Sequence, residues 1–369
     1  MQCRGEQIHA SPNTEDYRNK DMFSVGLDIQ GNITVGYYVG GRKEGVVCVA
    51  PSSLQIITSD HKQVAALYSE FLSEIDRSRI SLYNQGEKIG WNRGSWSEIM
   101  VRSNFQGQIM IKVQYITNDC SNEKYEDEKK RLVDKFLSSG LQITSIFVTE
   151  TSTSQHRNSL LLYGEENFVE KIGELKMSLG PDTFCQINRE CAKLLLDVVR
   201  KGILTGRNRT LLDLCCGAGM FSLHLSPYFR GAIGIDLEDT RYAAENTGLN
   251  NIRNCRFLTG RIQSILPSLL TDLKTQSIGV SAVLNPGRSG VDYSVIEAIR
   301  RCPLLDNIVY ISCQPEDQRV IGNLVKLMSP DRKNTPSKYE SKPFSLRSST
   351  ALDMFPQTHH CEHVFVFRR

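Results

Sequence analysis

One segment constrains the fold of this chain more than any other: Leu211-Leu-Asp-Leu-Cys-Cys-Gly-Ala-Gly219. Its apolar run passes Asp213 and a turn made by Gly217 and Gly219, then continues into the helix-like Met220–Leu225. Glycine lets a backbone approach a ligand closely, and such a strand-loop-helix corner in an α/β domain binds the nucleoside part of a cofactor. The lack of a Walker lysine favours S-adenosylmethionine over a nucleoside triphosphate. The alternative is a buried strand that ends in a glycine turn.

The composition is that of an ordinary soluble globular protein. Of the 369 residues, 40% are hydrophobic and 23% are charged, a length and balance that allow two or more domains. The net charge of +3 permits RNA binding, but any basic surface must be local. No apolar run approaches the length of a membrane span.

The cysteines and the amino terminus bound the class of protein further. The 11 cysteines include no Cys-X-X-Cys pair, which argues against a zinc ribbon or a locally clustered iron–sulfur site. An odd count without a secretory signal favours free thiols in a reducing compartment. The first residues also lack the Arg- and Ser-rich pattern of a mitochondrial presequence. Because they lie so close to a structured segment, the natural start could lie upstream.

The chain divides into three predicted regions: a basic segment over residues 1–21, a central domain over 22–175 and a cofactor domain over 176–369. Short alternating runs separated by Gly and Asn predict an antiparallel sheet in the central α+β domain, interrupted by a helix from His61 to Glu74. The predicted strands there are Phe23–Leu27, Ile33–Val39, Val46–Val49, Ser97–Val101 and Gln108–Val113. We interpret the charged run 126–131 as a solvated helix without function.

Strands and helices alternate in the third region, which predicts a doubly wound, mostly parallel sheet. The predicted strands are Leu211–Leu214, Ala232–Ile235, Cys255–Leu258, Val280–Leu284 and Ile308–Ile311, and the helices are Leu237–Thr247, Ile262–Leu270, Ser294–Arg301 and Gln318–Leu327. Ala351–Phe355 and Val364–Phe367 would add an edge hairpin. The polar segment Asp331–Lys338 is interpreted as a mobile insertion.

Polar groups follow several of these strands. Asp236 comes directly after one strand, where a carboxylate can accept both hydroxyls of a ribose, although it is also well placed as a helix N-cap. Cys313 follows another, where its thiol could be a nucleophile or inert core. Arg288 follows a third, within reach of a phosphate or a carboxylate. Glu362 precedes the last strand and is either a general base or part of a solvated strand end.

The histidines near the carboxy terminus resemble metal ligands only superficially. His359, His360 and His363 lack a suitably spaced acid or further histidine that would complete a site. We therefore expect no metal and no iron–sulfur cluster.

Five motifs occur together and in a fixed order. Taken as a set, they resemble the uracil-5 RNA methyltransferase family, and within it most closely the animal mitochondrial branch. The motifs are Phe184-Cys-Gln-Ile-Asn188, Asp213-Leu-Cys-Cys-Gly-Ala-Gly219, Asn285-Pro-Gly-Arg-Ser-Gly290, Ser312-Cys-Gln-Pro315 and Phe355-Pro-Gln-Thr-His-His-Cys-Glu362.

The resemblance implies a Rossmann-like class I methyltransferase domain beside a central RNA-binding domain, and methylation of uridine C5 with S-adenosylmethionine. It implies that Cys313 adds to uracil C6 and that Glu362 removes the C5 proton. Gln186 would orient the uracil edge or the cofactor. The residues implied in cofactor binding are Gln186, Asp213, Gly217, Gly219, Asp236 and Asn285. The uridine would have to leave its stack to reach the thiol.

Partners and compartment are also implied by the resemblance. The expected substrate is tRNA, at a T-loop uridine, with ribosomal RNA as an alternative, and the enzyme is expected to be a monomer. RNA contacts are expected from Tyr17, Arg18, Lys20 and Arg288, with the basic Arg42 and Lys43 on the same face. A mitochondrial matrix location follows from the branch alone, and the cytoplasm or nucleus stays open.

Two departures from the family pattern leave alternatives open. The common Asp-Pro-Pro-Arg is Asn285-Pro-Gly-Arg288 here, and Gln314 replaces the usual asparagine after the cysteine. One alternative is therefore an RNA-binding chaperone with a degenerate methyltransferase site. Another is a cytosine-5 RNA methyltransferase, although such enzymes carry a different cysteine motif.

Overall fold

A computed structural model describes residues 4–5, 8–41, 45–84, 87–89, 95–116, 123–151, 157–330 and 342–369. These residues form two compact units. The central unit comprises Glu15–Glu170 and Gly180–Asp182, and the carboxy-terminal unit comprises Met1–Thr14, Lys171–Leu179 and Thr183–Arg369. None of the helices in the described part of the chain combines the length and the apolar composition needed to span a bilayer.

The strands and helices are numbered in chain order across both units. The strands are β1 (Arg4–Gly5), β2 (Lys20–Leu27), β3 (Ile33–Gly41), β4 (Gly45–Val49), β5 (Leu82–Asn84), β6 (Glu87–Ile89), β7 (Ser95–Ser103), β8 (Ile109–Ile116), β9 (Ile143–Thr151), β10 (Arg157–Gly164), β11 (Phe168–Ile172), β12 (Leu175–Leu179), β13 (Gly206–Leu214), β14 (Phe229–Asp236), β15 (Cys255–Thr259), β16 (Gly279–Leu284), β17 (Leu305–Ser312), β18 (Ser345–Leu352) and β19 (Glu362–Arg368). The helices are α1 (Ser59–Ser73), α2 (Glu123–Leu137), α3 (Arg189–Gly202), α4 (Met220–Leu225), α5 (Arg241–Leu249), α6 (Ile262–Thr275), α7 (Tyr293–Arg301) and α8 (Gln318–Met328).

The central unit is built on a seven-stranded sheet in the order β10-β9-β8-β7-β2-β3-β4. Most neighbours are antiparallel, as predicted, but β8 and β9 are parallel. Parallel neighbours require a crossover, and α2 supplies it between these two strands. The expectation of a purely antiparallel sheet is thus corrected to a mixed one.

Helix α2 is only partly the solvated helix that its charges predict. Glu128 is 6% exposed, and its carboxylate accepts hydrogen bonds from Arg79 at 2.6 and 2.8 Å and from Trp96 Nε1 at 2.8 Å. Trp96 is itself fully buried against Tyr115 and Tyr125. The expectation for the charged run is therefore wrong at this one position, because a partnered carboxylate can be buried where an isolated one cannot.

Removing this buried carboxylate should destabilise the central unit. We expect Glu128→Ala to lower the free energy of unfolding by about 3 kcal/mol or more, since it leaves the Arg79 charge without its partner. Glu126→Ala is the matched control on the same helix: Glu126 is 56% exposed and pairs with Lys129, so its loss should cost less than about 1 kcal/mol. Urea unfolding of both variants measures the difference, and equal losses would contradict the assignment.

The carboxy-terminal unit contains an eight-stranded sheet in the order β1-β18-β19-β17-β16-β13-β14-β15. The five strands from β17 to β15 are parallel, which confirms the predicted doubly wound sheet. Side chains alternate between two cores: Leu212 and Leu214 pack in one cluster, and Leu211 packs in the other. This alternation is what a central strand covered on both faces requires.

The predicted terminal hairpin is present but shifted. Its first strand was expected over Ala351–Phe355, whereas β18 ends at Leu352. The backbone then leaves the sheet, because Asp353 N donates to His9 O and Met354 N donates to Leu352 O. The hairpin is also not the outermost element, since β1 pairs in parallel beyond β18.

The strand order reverses at β13, which lies between β14 and β16. Open α/β sheets bind their ligands in the crevice outside the carboxyl ends of the strands at such a point. The two strand ends are joined there by a hydrogen bond from Asn285 N to Leu214 O at 3.2 Å. The fold therefore places the motifs that follow β13 and β16 at one crevice.

Candidate active site

The loop after β13 is held in a conformation that favours glycine. Gly217 and Gly219 have φ angles of 51° and 87°, and Gly219 is the N-cap of α4. A Cβ at Gly219 would lie only 3.1 Å from the Phe257 ring, so a side chain does not fit there. The amides of Cys215 and Cys216 both donate to Ile235 O of the neighbouring strand. The loop is thus fixed against β14 and open toward the crevice.

Asp213 lies beneath this loop and is fully buried. Its Oδ2 atom accepts hydrogen bonds from the amide and the hydroxyl of Ser222, at 2.8 and 2.7 Å. Its buried Oδ1 atom has no hydrogen-bond partner among the described residues. Burial raises the pKa of this carboxyl to about 6, and the Ser222 hydrogen bonds oppose that rise. One carboxylate oxygen of Asp213 is therefore buried without a partner among the described residues.

Asp236 is the last residue of β14, and its carboxylate contacts the glycine loop. Its Oδ2 atom accepts a hydrogen bond from Gly217 N at 2.8 Å, and its Oδ1 atom accepts one from Glu238 N at 3.0 Å. The N-cap of the following helix α5 is Thr240, so the N-cap alternative for Asp236 is wrong. The acid instead lies against the loop whose glycines would face a nucleoside.

Cys313 and Glu362 are brought together by strand pairing. Strands β17 and β19 are antiparallel, and their last registered pair is Ser312 with His363. Because register advances one residue at a time along an antiparallel pair, the next position sets Cys313 opposite Glu362. The sequence places these residues 49 positions apart, and the sheet makes them neighbours.

Both groups favour their neutral forms in the free protein. Glu362 is 3% exposed, and burial raises its pKa to about 8. Burial also raises the pKa of the half-buried Cys313 thiol, and the negative charges of Glu362 and Glu316 add to that rise, whereas Arg288 opposes it. The arrangement combines a thiol, a buried carboxyl and one nearby cation.

The remaining predicted residues of this unit lie in the segments that border the sheet. Arg288 is exposed on the loop after β16, and Asn285 begins that loop. Gln186 is 5% exposed just ahead of α3. The N-cap of α3 is Asn188, whose amide also donates to Met354 O, 3.3 Å away and just before the motif that carries Glu362.

The basic segment does not present all of its expected RNA contacts. Tyr17 is 6% exposed and belongs to the core of the central unit, which corrects the expectation that its ring faces RNA. The Arg18 guanidinium is largely buried and forms an ion pair with Asp21. The Asp21 Oδ2 atom in turn lies 2.7 Å from Nδ1 of buried His61, within hydrogen-bond distance. These side chains anchor the start of the central sheet.

The other expected RNA contacts are only partly described. Lys20 is half-buried at the start of β2, and its role in RNA binding stays a prediction. Arg42 and Lys43 lie outside the described residues, as does the segment Asp331–Lys338.

The carboxy-terminal histidines do not assemble a metal site in the described ranges. Cys361 Sγ lies 3.1 Å from His363 Nε2, while His359 and His360 are exposed. No group of three or more His, Cys, Asp or Glu side chains in the described part of the chain could hold a metal ion.

Two buried polar residues near the crevice were not indicated by the sequence patterns. Ser222 on α4 supplies both hydrogen bonds to Asp213. Asn246 on α5 accepts from Ser178 N at 2.6 Å and donates to Ala218 O at 3.1 Å, which ties β12 to the glycine loop. The available clue is a polar residue within the buried face of a helix, since such residues are buried only with partners.

Comparisons with known proteins identify the family of this chain. Residues 93–369 match the family model described as tRNA (Uracil-5-)-methyltransferase. The chain is 36% identical to tRNA (uracil-5-)-methyltransferase homolog B of Mus musculus, over 100% of this chain and 75% of that relative. It is 30% identical to homolog A of the same organism, over 100% of this chain and 59% of that relative.

A solved structure shows the same fold. It is the Pyrococcus abyssi tRNA (uracil-54, C5)-methyltransferase in complex with S-adenosyl-L-homocysteine, with a TM-score of 0.67 at 18% identity, covering 98% of this chain and 78% of that one. The matched family model and the relatives that align along this whole chain confirm the enzyme class predicted from the motifs, an S-adenosylmethionine-dependent RNA uracil-C5 methyltransferase. The chain belongs to the tRNA (uracil-5-)-methyltransferase family.

Proposed function

We propose that this protein methylates C5 of a T-loop uridine in tRNA through a covalent bond between the Cys313 sulfur and uracil C6. The observation that carries the proposal is the β17–β19 register, which sets the thiol opposite the buried Glu362. A nucleophile and a proton acceptor are both needed for substitution at C5, and here Cys313 and Glu362 follow the last registered pair at one end of the sheet.

The crevice fits S-adenosylmethionine, which supplies an electrophilic methyl group on its sulfonium. Asp236 would accept the ribose hydroxyls from its position beside the glycine loop. The partnerless Oδ1 atom of Asp213 is an acceptor suited to a cationic amine. Gln186 and Asn285 complete the proposed set, with Gln186 orienting the cofactor or the uracil edge.

The proposed chemistry divides between the two facing groups. The Cys313 thiolate forms a bond to C6, and the electron pair displaced from the C5–C6 double bond makes C5 nucleophilic. After C5 has taken the methyl group, Glu362 removes the C5 proton. The electrons of that C–H bond restore the double bond, and the Cys313 sulfur leaves as thiolate.

The charges of the two groups favour this order of events. A negative Glu362 raises the pKa of the Cys313 thiol, so the thiolate forms most readily while Glu362 is protonated. Burial is what raises the pKa of Glu362, so its carboxyl must lose its own proton before it acts as the base.

The target base must leave its stack to reach Cys313, and extrusion of the target nucleotide costs a few kcal/mol. We propose that Arg288 and Lys20 contact the RNA, with tRNA as the main substrate and ribosomal RNA as a further one. Asn285 in place of the family's aspartate favours weaker activity, and a chaperone without turnover is the second candidate on that ground.

A mitochondrial matrix location is proposed from the motif resemblance alone, as is a monomeric state. Imaging of the natural full-length protein, fused at its carboxy terminus to a fluorescent protein, tests the location, and sedimentation of the purified protein tests the state.

Trapping with 5-fluorouridine tests the covalent step. Fluorine cannot leave C5 as a proton does, so a T-stem-loop RNA that carries 5-fluorouridine should form an adduct with the protein in the presence of S-adenosylmethionine. We expect a denaturation-resistant band that is absent in Cys313→Ala. Cys361→Ser, at another half-buried thiol next to Glu362, is the control that should retain the band.

An absence of adduct in the wild type, despite measurable binding of RNA and cofactor, would contradict the enzymatic proposal and favour the chaperone. A band that persists in Cys313→Ala but disappears in Cys361→Ser would show that Cys361, and not Cys313, is the nucleophile.

Cofactor binding tests the role of Asp236. Hydrogen bonds to a charged group contribute about 1.5–3 kcal/mol, so Asp236→Asn should weaken S-adenosylmethionine binding by ~10- to 100-fold. Glu238→Gln, two residues further along the same segment, should change the affinity by less than about 3-fold, the effect of one weak surface charge. Isothermal titration measures both affinities, and equal effects would exclude Asp236 as the ribose ligand.

A further inference from the structure

The loop that carries Arg288 is anchored by a buried amide on another element. Asn323, on helix α8, is fully buried. Its Oδ1 atom accepts a hydrogen bond from Val291 N at 2.9 Å, and its Nδ2 atom donates to Val291 O at 3.1 Å. The side chain thus pairs with both polar groups of one residue, as a neighbouring strand would.

The same amide is joined to the strand that leads to the thiol. Tyr310, fully buried on β17, donates its hydroxyl to Asn323 Oδ1 at 3.0 Å. Tyr310 lies three residues before Cys313 on the chain. One amide therefore links α8, β17 and the end of the Asn285–Gly290 loop, and we call Asn323, Tyr310 and Val291 the amide clamp.

The clamp restricts the backbone conformation at the end of the loop. Gly290 has a φ angle of 67°, and a Cβ there would lie 2.6 Å from Asn323 Oδ1 and 3.0 Å from the Tyr310 hydroxyl. Only glycine allows both this backbone conformation and this close approach. The end of the loop is consequently fixed by the clamp, while Arg288, two residues earlier, remains exposed.

We propose that Asn323 is a positioning residue for methyl transfer: its buried amide fixes the Asn285–Gly290 loop to β17 and so holds Arg288 at the Cys313 thiol. The inference rests on the proposed role of Cys313 as the nucleophile. The cation acts on the thiol and on the RNA, and Asn323 acts only through the loop. A small displacement of a reacting group costs a large factor in rate, so loosening this loop should slow the adduct-forming step.

The charged groups that face the thiol determine how its reactivity depends on pH. Glu362 on β19 and Glu316 after β17 raise the pKa of Cys313, and Arg288 lowers it. If the clamp holds Arg288 in place, loss of the clamp moves the Arg288 charge away from the thiol and keeps the opposing charges of Glu362 and Glu316. The thiol should then ionise at higher pH.

The test compares two buried asparagines, each of which accepts one hydrogen bond from a backbone amide and donates one to a backbone carbonyl. Asn307 is also fully buried; it accepts from Leu204 N at 2.7 Å and donates to Phe367 O at 3.1 Å, near the opposite end of β17 from Cys313. Asn323→Leu and Asn307→Leu each remove one such pair of backbone hydrogen bonds, and Asn323→Leu also removes the bond from the Tyr310 hydroxyl. Both should lower the urea midpoint, which controls for a loss of stability.

The two variants should differ in two readouts at the thiol. We expect Asn323→Leu to shift the pH profile of Cys313 alkylation by iodoacetamide, followed by mass spectrometry of that peptide, to higher pH. We also expect it to slow single-turnover adduct formation by ~10- to 100-fold, with RNA affinity little changed. Asn307→Leu should keep the wild-type profile and rate.

Tyr310→Phe removes one hydroxyl and provides a milder variant should Asn323→Leu fail to fold. It should shift the profile in the same direction by a smaller amount. An unchanged profile in every clamp variant that folds, or equal shifts in Asn323→Leu and Asn307→Leu, would overturn the proposal. A shifted profile in a protein whose wild type forms no adduct would keep the clamp and refute the methyltransferase mechanism instead.

Discussion

The antiparallel pairing of β17 with β19 is the constraint on which the active site depends. Strand β17 ends just before the thiol, and β19 begins at the carboxyl, so the register alone sets Cys313 and Glu362 opposite each other. A shift by one residue would turn each side chain to the other face of the sheet. Buried Val364, Val366 and Phe367 on β19 resist such a shift, because it would move apolar side chains out of their cores.

A second constraint is the reversal of strand order at β13. It brings the glycine loop and the loop that begins at Asn285 to one crevice, where Asn285 N bonds to Leu214 O. The residues proposed to bind the cofactor and those proposed to react then lie along the same edge of the sheet. In the proposed mechanism, the methyl group comes from one part of this edge and the nucleophile from another.

Much of this site could be predicted from sequence, because its residues belong to short motifs at strand ends. Cys313, Glu362 and Asp236 lie next to an apolar run and Asp213 lies within one, and the periodicity located those runs within a few residues. The predictions that were wrong concern positions whose environment is set by residues distant in sequence. Tyr17 carries a polar hydroxyl, yet it is buried. The early end of β18 at Leu352 depends on a hydrogen bond from Asp353 N to His9 O.

The buried polar partners could not be predicted for the same reason. In the sequence, Glu128 is one charged residue within a charged run. Only the fold shows that Arg79 and Trp96 donate hydrogen bonds to its carboxylate. Asn323 lies on a helix with an ordinary apolar stripe, and its partners Val291 and Tyr310 come from two other elements. Such residues become recognisable only when the contacts between elements are known, because a polar side chain is unfavourable in a core unless it has a hydrogen-bond partner.

The measurement that tests the central claim most directly is the fate of the C5 hydrogen in Glu362→Gln. RNA with tritium at uridine C5 is mixed with the wild type or the variant and S-adenosylmethionine carrying a ¹⁴C-methyl group. The wild type should release tritium in step with methylation. The variant should transfer the methyl group yet release tritium at least ~100-fold more slowly, as removal of a general base predicts, with the methylated RNA still bound to Cys313. Tritium release at the wild-type rate would contradict the assignment of Glu362 as the base.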